Sequence, residues 1–144
     1  MLSTEESKRL AAEFVEEVFN KGNLAYLHDA LADDFVDHTP PPGGTPDKAG
    51  TIAFFEEMAK TASDVQVEIV QVVASENKVA LHGRYSGIDT GGFMGTAAPT
   101  GKPYTMESID ITEYNDRGQA VGHWGIPDVM GVMGQLGLLP PPPG

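Results

Sequence analysis

Two residues of this chain, Asp110 and His123, have the types and the spacing to move protons. They flank a turn in residues 104–128, YTMESIDITEYNDRGQAVGHWGIPD, which reads as a β-hairpin. Tyr104, Met106, Ser108, Asp110, Thr112 and Tyr114 alternate onto one face of its first strand. Asn115, Asp116, Arg117 and Gly118 are turn chemistry. Placing Tyr114 opposite Gln119 sets Thr112 against Val121, Asp110 against His123 and Ser108 against Gly125. A carboxylate and an imidazole then stand side by side, with Cβ atoms ~5 Å apart. Such a pair can take a proton from a carbon beside a carbonyl and deliver one to an oxygen. Burial raises a carboxyl pKa, and a partnered imidazole titrates near neutrality. A one-residue slip of register would put the two on opposite faces. A purely structural Asp–His hydrogen bond is the competing reading.

The elements that must position this pair follow from the rest of the pattern. Ser3 with Glu6 forms a capping-box signature, and Leu10, Phe14, Val15, Val18 and Phe19 repeat at helical spacing as far as Lys21-Gly22. Asn23 is placed to cap a short second helix carrying Leu24, Leu27 and Leu31. Phe35 to His38 read as a short extended segment. Thr45-Pro46-Asp47 then starts a third helix, with Pro in its first turn. Val65, Val67 and Ile69 alternate before Val70, Val72 and Val73 change phase, as a bulge would produce. After a turn at Glu76-Asn77, Val79, Leu81, Gly83 and Tyr85 face away from Ala80, His82, Arg84 and Ser86. A loop at 90–103 leads into the hairpin, and Pro127-Asp128 open a last helix ending at Gly137. Helices first, then long antiparallel strands, then a short helix describe an α+β domain over 1–139 with a Pro-rich tail at 140–144. The curved antiparallel sheet would wrap the helices and leave a cavity.

Composition removes several classes of function. A net charge of −12, with nine Lys and Arg spread along 144 residues, argues against nucleic acid. The absence of cysteine excludes disulfides and thiolate chemistry. No apolar run approaches ~20 residues, and the first residues lack a signal-peptide core, so a cytoplasmic protein without a membrane segment is expected. The four histidines show no metal-ligand spacing. GGFMG, TGKPYT and GRYSG each miss the spacing of a phosphate loop or nucleophile elbow.

PTGK at 99–102, GQAVGHW at 118–124, Pro127-Asp128 and QLGLLP at 135–140 occur in an order and spacing that resembles the SnoaL-like polyketide cyclase (ester cyclase) branch of the NTF2-like superfamily. The resemblance runs over nearly the whole chain. It implies a cone-shaped α+β barrel with an apolar pocket and a homodimer. It also implies intramolecular aldol closure of an aromatic polyketide ester, without metal or organic cofactor. The acid/base Asp and His it implies fall on Asp110 and His123, with the order of the two types exchanged relative to the family's pattern. That exchange would bring the reacting carbon in from the other side.

His38, at the end of the first extended segment, could orient a substrate carbonyl or be a turn residue. His82 and Arg84 share a strand face that either binds a substrate oxygen or is solvated. Tyr104, like Tyr26 and Tyr85, could donate to an oxyanion, and Trp124 could stack on a flat ligand. Asp128 could face the pocket mouth or act only on the helix dipole. Competing functions within the same fold are a ketosteroid-isomerase-like enzyme with its base at Asp37 or His38, and an epoxide-hydrolase-like enzyme. A non-catalytic binding or dimerisation module is the rival from another class. Exposed Ile109, Ile111 and Trp124 would give the sheet a reason to pair with a second copy.

Overall fold

The structure, a computed structural model, describes residues 1–95 and 98–143. Residues 96 and 97 of the expected loop and Gly144 of the tail lie outside the described residues. Helix α1, Thr4–Phe14, begins where the sequence places it, with the Glu6 amide donating to Ser3 Oγ at 3.1 Å. Glu5 and Glu6 sit at its positive end. It runs on into a π-helical segment, Val15–Asn20, in which the Lys21 amide reaches five residues back to Glu16 O at 2.9 Å. The wider turn gives Asn20 a structural task. Its Oδ1 accepts from the Val67 amide at 2.7 Å and fastens the helix to the sheet.

Helix α2, Tyr26–Ala30, is shorter than expected, and Asn23 does not cap it with its side chain. That side chain bonds Glu17 instead, and Leu27 anchors the helix, fully buried. Helix α3, Lys48–Met58, is capped by Asp47, whose carboxylate accepts from the Gly50 amide at 2.8 Å. Pro46 therefore lies before the cap rather than in the first turn.

Five strands form one curved, unclosed sheet in the order β1-β5-β4-β3-β2. They are β1 Leu31–Asp37, β2 Ala62–Ser75, β3 Lys78–Asp89, β4 Pro103–Tyr114 and β5 Ala120–Pro127. The register of β2 against β3 shifts between Ile69 and Gln71, where the sequence changed phase. The sheet is not wholly antiparallel, because β1 runs parallel to β5. This edge strand brings Asp37 beside His123. Helix α4, Val129–Leu136, follows β5 and ends at Gly137 in a left-handed conformation (φ 74°) that favours glycine.

Helices α1 and α3 lie over the inner face of the sheet, where Val15, Val18, Leu27, Phe35, Val79 and Leu81 form the main core. The outer face is uncovered: Ile109, Ile111, Ile126 and Val73 are exposed on it. Among the described residues no helix is long and apolar enough to cross a membrane.

The 90–103 connection is held by one carboxylate. Asp89, fully buried, accepts from the Gly92 amide at 3.0 Å, and from the Thr100 amide and hydroxyl at 2.9 and 2.8 Å. Burial pushes its pKa up, but the Thr100, Gly92 and Phe93 donors outweigh burial and hold it below the usual aspartate value. A depressed folded pKa contributes stability that is present above the unfolded value of about 3.9 and lost as pH falls through the folded one. Asp89→Asn should therefore cost about 2 kcal/mol in urea unfolding at pH 7. The gap from wild type should close as the pH falls below about 4.

Candidate active site

The hairpin register is set by two small displacements. Asn115 closes the turn: its amide donates to Gln119 O at 2.9 Å, and its Oδ1 accepts from the Arg117 and Gln119 amides at 3.0 Å each. Tyr114 therefore pairs with Ala120 rather than Gln119. A bulge at Val121 then shifts the pairing once more, so Glu113 meets Gly122, Thr112 meets His123 and Asp110 meets Gly125. The expected Asp110–His123 opposition is thus off by two residues. An even displacement keeps both side chains on one face. The two meet diagonally, with His123 Nε2 2.9 Å from Asp110 Oδ1.

Gly125 makes that diagonal possible. A Cβ there would collide with Asp110 Oδ1 and come within 2.9 Å of His123 Cε1. The imidazole crosses the space that a side chain would have filled.

The other ring nitrogen is also taken. His123 Nδ1 lies 3.0 Å from Asp37 Oδ1, delivered by the parallel pairing of β1 with β5. Asp37 is itself steadied, accepting at the same oxygen from the Thr39 amide at 3.0 Å. Thr39 Oγ1 in turn accepts from the Gly125 amide at 2.8 Å. An imidazole flanked by two carboxylate oxygens satisfies both only when both nitrogens carry protons. Burial pulls the His123 pKa down, yet the hydrogen bonds and charges of Asp110 and Asp37 prevail and raise it above the ordinary value. Asp110 Oδ2 accepts from Ser108 Oγ at 2.9 Å, and the Tyr85 hydroxyl approaches it at 3.4 Å.

These groups line one end of a cavity of about 750 Å³ between the helices and the inner sheet face. Phe14, Phe19, Phe54, Phe55, Met58 and Met106 make much of the remainder apolar. That size and lining suit a small organic ligand largely removed from water.

The profile of the SnoaL-like polyketide cyclases matches residues 9–136. The chain belongs to that family. Among solved structures, TsrD from Streptomyces laurentii shares the fold, at 24% identity and a TM-score of 0.84 over 96% of this chain and 100% of that one. AclR from Streptomyces galilaeus, assigned as a hydroxylase, is 27% identical with a TM-score of 0.84, covering 98% of this chain and 91% of its own. IdmH from Streptomyces antibioticus, assigned as a polyketide cyclase, is 29% identical with a TM-score of 0.78 over 91% of this chain and 98% of its own. No curated protein matches this chain in sequence.

Of the further positions named from the sequence of this SnoaL-like chain, Asp37, Tyr85 and Tyr104 line the cavity, Tyr104 with its ring edge-on to Phe93 at 5.5 Å. His82 and Arg84 lie on the outer face, out of phase with Val79, Leu81, Gly83 and Tyr85. There they bind Glu107, at 2.6 and 2.9 Å. Trp124 follows His123 and so points outward, stacked on His38 with centroids 4.3 Å apart and planes 3° from parallel. Asp128 caps α4 through the Gly131 amide at 2.9 Å. Sequence reasoning missed Asp37 as the partner of His123, and Ser108 as the partner of Asp110. The second was visible as two residues of one face two positions apart. The first depended on a parallel pairing that brings together residues 86 apart in the chain, which no local pattern announces.

Gly125→Ala should separate Asp110 from His123 while leaving the sheet intact. The His123 imidazole, followed by NMR, should titrate at lower pH than in wild type. An unchanged titration would mean that the pair survives the added methyl group.

Proposed function

We propose that this chain catalyses acid–base chemistry at a carbon beside a carbonyl, most simply the aldol-type cyclisation of a polyketide-like ester. One observation carries the reading. Asp110, at the polar end of an apolar cavity, is hydrogen-bonded to an imidazole whose other nitrogen is held by a second carboxylate. With both nitrogens donating, His123 has no lone pair for a base, and the basic role falls to Asp110. Asp110 would take the α-proton, and the resulting enolate carbon would attack a second carbonyl. His123 Nε2–H would protonate the new alkoxide, and the proton on Asp110 would then restore the imidazolium. The steps balance as one C–H and one C=O becoming C–C–OH, with no net proton gained or lost. Enclosure in the cavity favours ring closure by holding the two ends together.

A second reading, isomerisation of a ketone with Asp37 as base, draws on Asp37 lining the same cavity at the end of β1. Hydrogen bonding does not separate the two bases, since Asp37 uses Oδ1 for His123 and Thr39 while Asp110 uses Oδ1 for His123 and Oδ2 for Ser108. A homodimer joined through the exposed Ile109, Ile111 and Ile126 is part of the proposal. Ile109→Lys with Ile126→Lys should halve the mass seen by sedimentation equilibrium; an unchanged mass would rule out this face.

The test of chemistry is deuterium exchange alpha to the carbonyl of aromatic ketones and esters in D₂O, followed by NMR. Asp110→Asn should abolish it, whereas Asp37→Asn should retain part. Loss in Asp37→Asn alone would favour the isomerase-like site, and binding without any exchange would favour a binding module. His123 acts as an acid, so ring closure should be fastest below its raised pKa and decline as pH rises through it. Asp37→Asn should move that decline to lower pH. Stability follows the same sign: the His123 contribution is complete below about 6.5 and lost as pH rises through the folded value.

A further inference from the structure

Gly83 and Gly125 occupy matching places on the two strands that flank β4, opposite Ser108 and Asp110 respectively. Each leaves room for a ring two residues along its own strand. A Cβ on Gly83 would stand 3.0 Å from Tyr85 Cε1, as one on Gly125 would crowd His123. From the helix side the Tyr85 ring meets Phe19 edge-on, centroids 5.1 Å apart and planes at 82°. The ring is thereby laid along the inner face with its hydroxyl 3.4 Å from Asp110 Oδ2. That contact is long for a hydroxyl donor, which prefers about 2.7–2.8 Å. Ser108 already holds the same oxygen at 2.9 Å, so Tyr85 loses little by turning to another acceptor in the cavity. Burial first, and the adjacent Asp110 charge second, keep its phenol protonated well above the ordinary tyrosine value.

We propose that Tyr85 is a catalytic residue whose hydroxyl donates to the carbonyl oxygen of the carbon acid, where charge develops as Asp110 removes the α-proton. The inference rests on the acid–base reading above. In that step the C–H bond breaks and its electron pair forms the enolate C=C. The carbonyl π pair moves to oxygen, and the proton passes to Asp110. Tyr85 keeps its own proton and supplies a hydrogen bond. Tyr85 and His123 approach opposite oxygens of Asp110, which places the base between two donors. This geometry selects a substrate with two carbonyl groups. The one acidifying the carbon is served by Tyr85, and the one attacked is served by His123.

The experiment compares wild type, Tyr85→Phe and Asp110→Asn with 1-tetralone as probe. The exchange rate at saturation is read by NMR in D₂O, the dissociation constant by ligand titration, and the His123 imidazole shift as a control on the site. Tyr85→Phe should lower the saturated rate about 10²-fold, the usual effect of removing one oxyanion donor. The dissociation constant should stay within about twofold, too little to account for such a loss, and the His123 titration should be unmoved. Exchange lost in Asp110→Asn but untouched in Tyr85→Phe would overturn the role of Tyr85 and leave the acid–base reading standing. So would a Tyr85→Phe defect that lies wholly in binding or that shifts His123. Exchange indifferent to Asp110→Asn, or absent from wild type despite binding, would overturn that reading and the Tyr85 role with it.

Discussion

The structure depends on a half-buried imidazole held between two carboxylates. His123 is partly removed from water, and that burial by itself disfavours the charged imidazole. Asp37 on one side and Asp110 on the other reverse that preference, and each reaches the ring from a different strand. The three residues therefore tie β1, β5 and β4 together as well as forming the polar end of the cavity. Removing one carboxylate does not merely subtract a hydrogen bond. It leaves the remaining charge balance wrong in a place where solvent corrects it poorly.

Reaching this arrangement requires empty space at defined points. The Asp110–His123 contact is diagonal, so a ring must cross the position opposite Asp110, and Gly125 leaves that position open. Gly83 does the same for Tyr85 on the other flank. Both glycines are needed for what they lack rather than for their backbone freedom. Around them the cavity is lined mainly by aromatic and aliphatic groups, which limits screening and makes each donor at Asp110 more effective than it would be in water.

The two faces of the sheet divide the polar residues by task. Inward, Asp110, Ser108, His123 and Tyr85 converge. Outward, His82, Arg84, Glu107 and Glu68 bind one another beside exposed isoleucines, and His38 covers Trp124. A histidine, an arginine and a tryptophan that invite a catalytic reading are thus surface groups. Tyr85 and His123, one position away from Arg84 and Trp124, line the cavity instead.

Alternation and capping made most elements legible in the sequence. Ser3 caps α1, the phase change at Val70 is a register shift, Asp128 and Gly137 bound α4, and Asp110 and His123 share a face. These are local facts, fixed by side-chain chemistry and a two- or four-residue period. The hairpin register was off by two because the closure by Asn115 and the bulge at Val121 each depend on backbone hydrogen bonds that periodicity does not encode. The sign of each face was equally hidden: alternation separates His82 from Leu81, but only packing against α1 and α3 decides which set is inside. The sequence by itself determined which residues could exchange protons and that two of them lay together. Tertiary structure alone decided that Asp37, from a parallel strand far away in the chain, completes the set, because that contact comes from how the sheet closes on its edge strand.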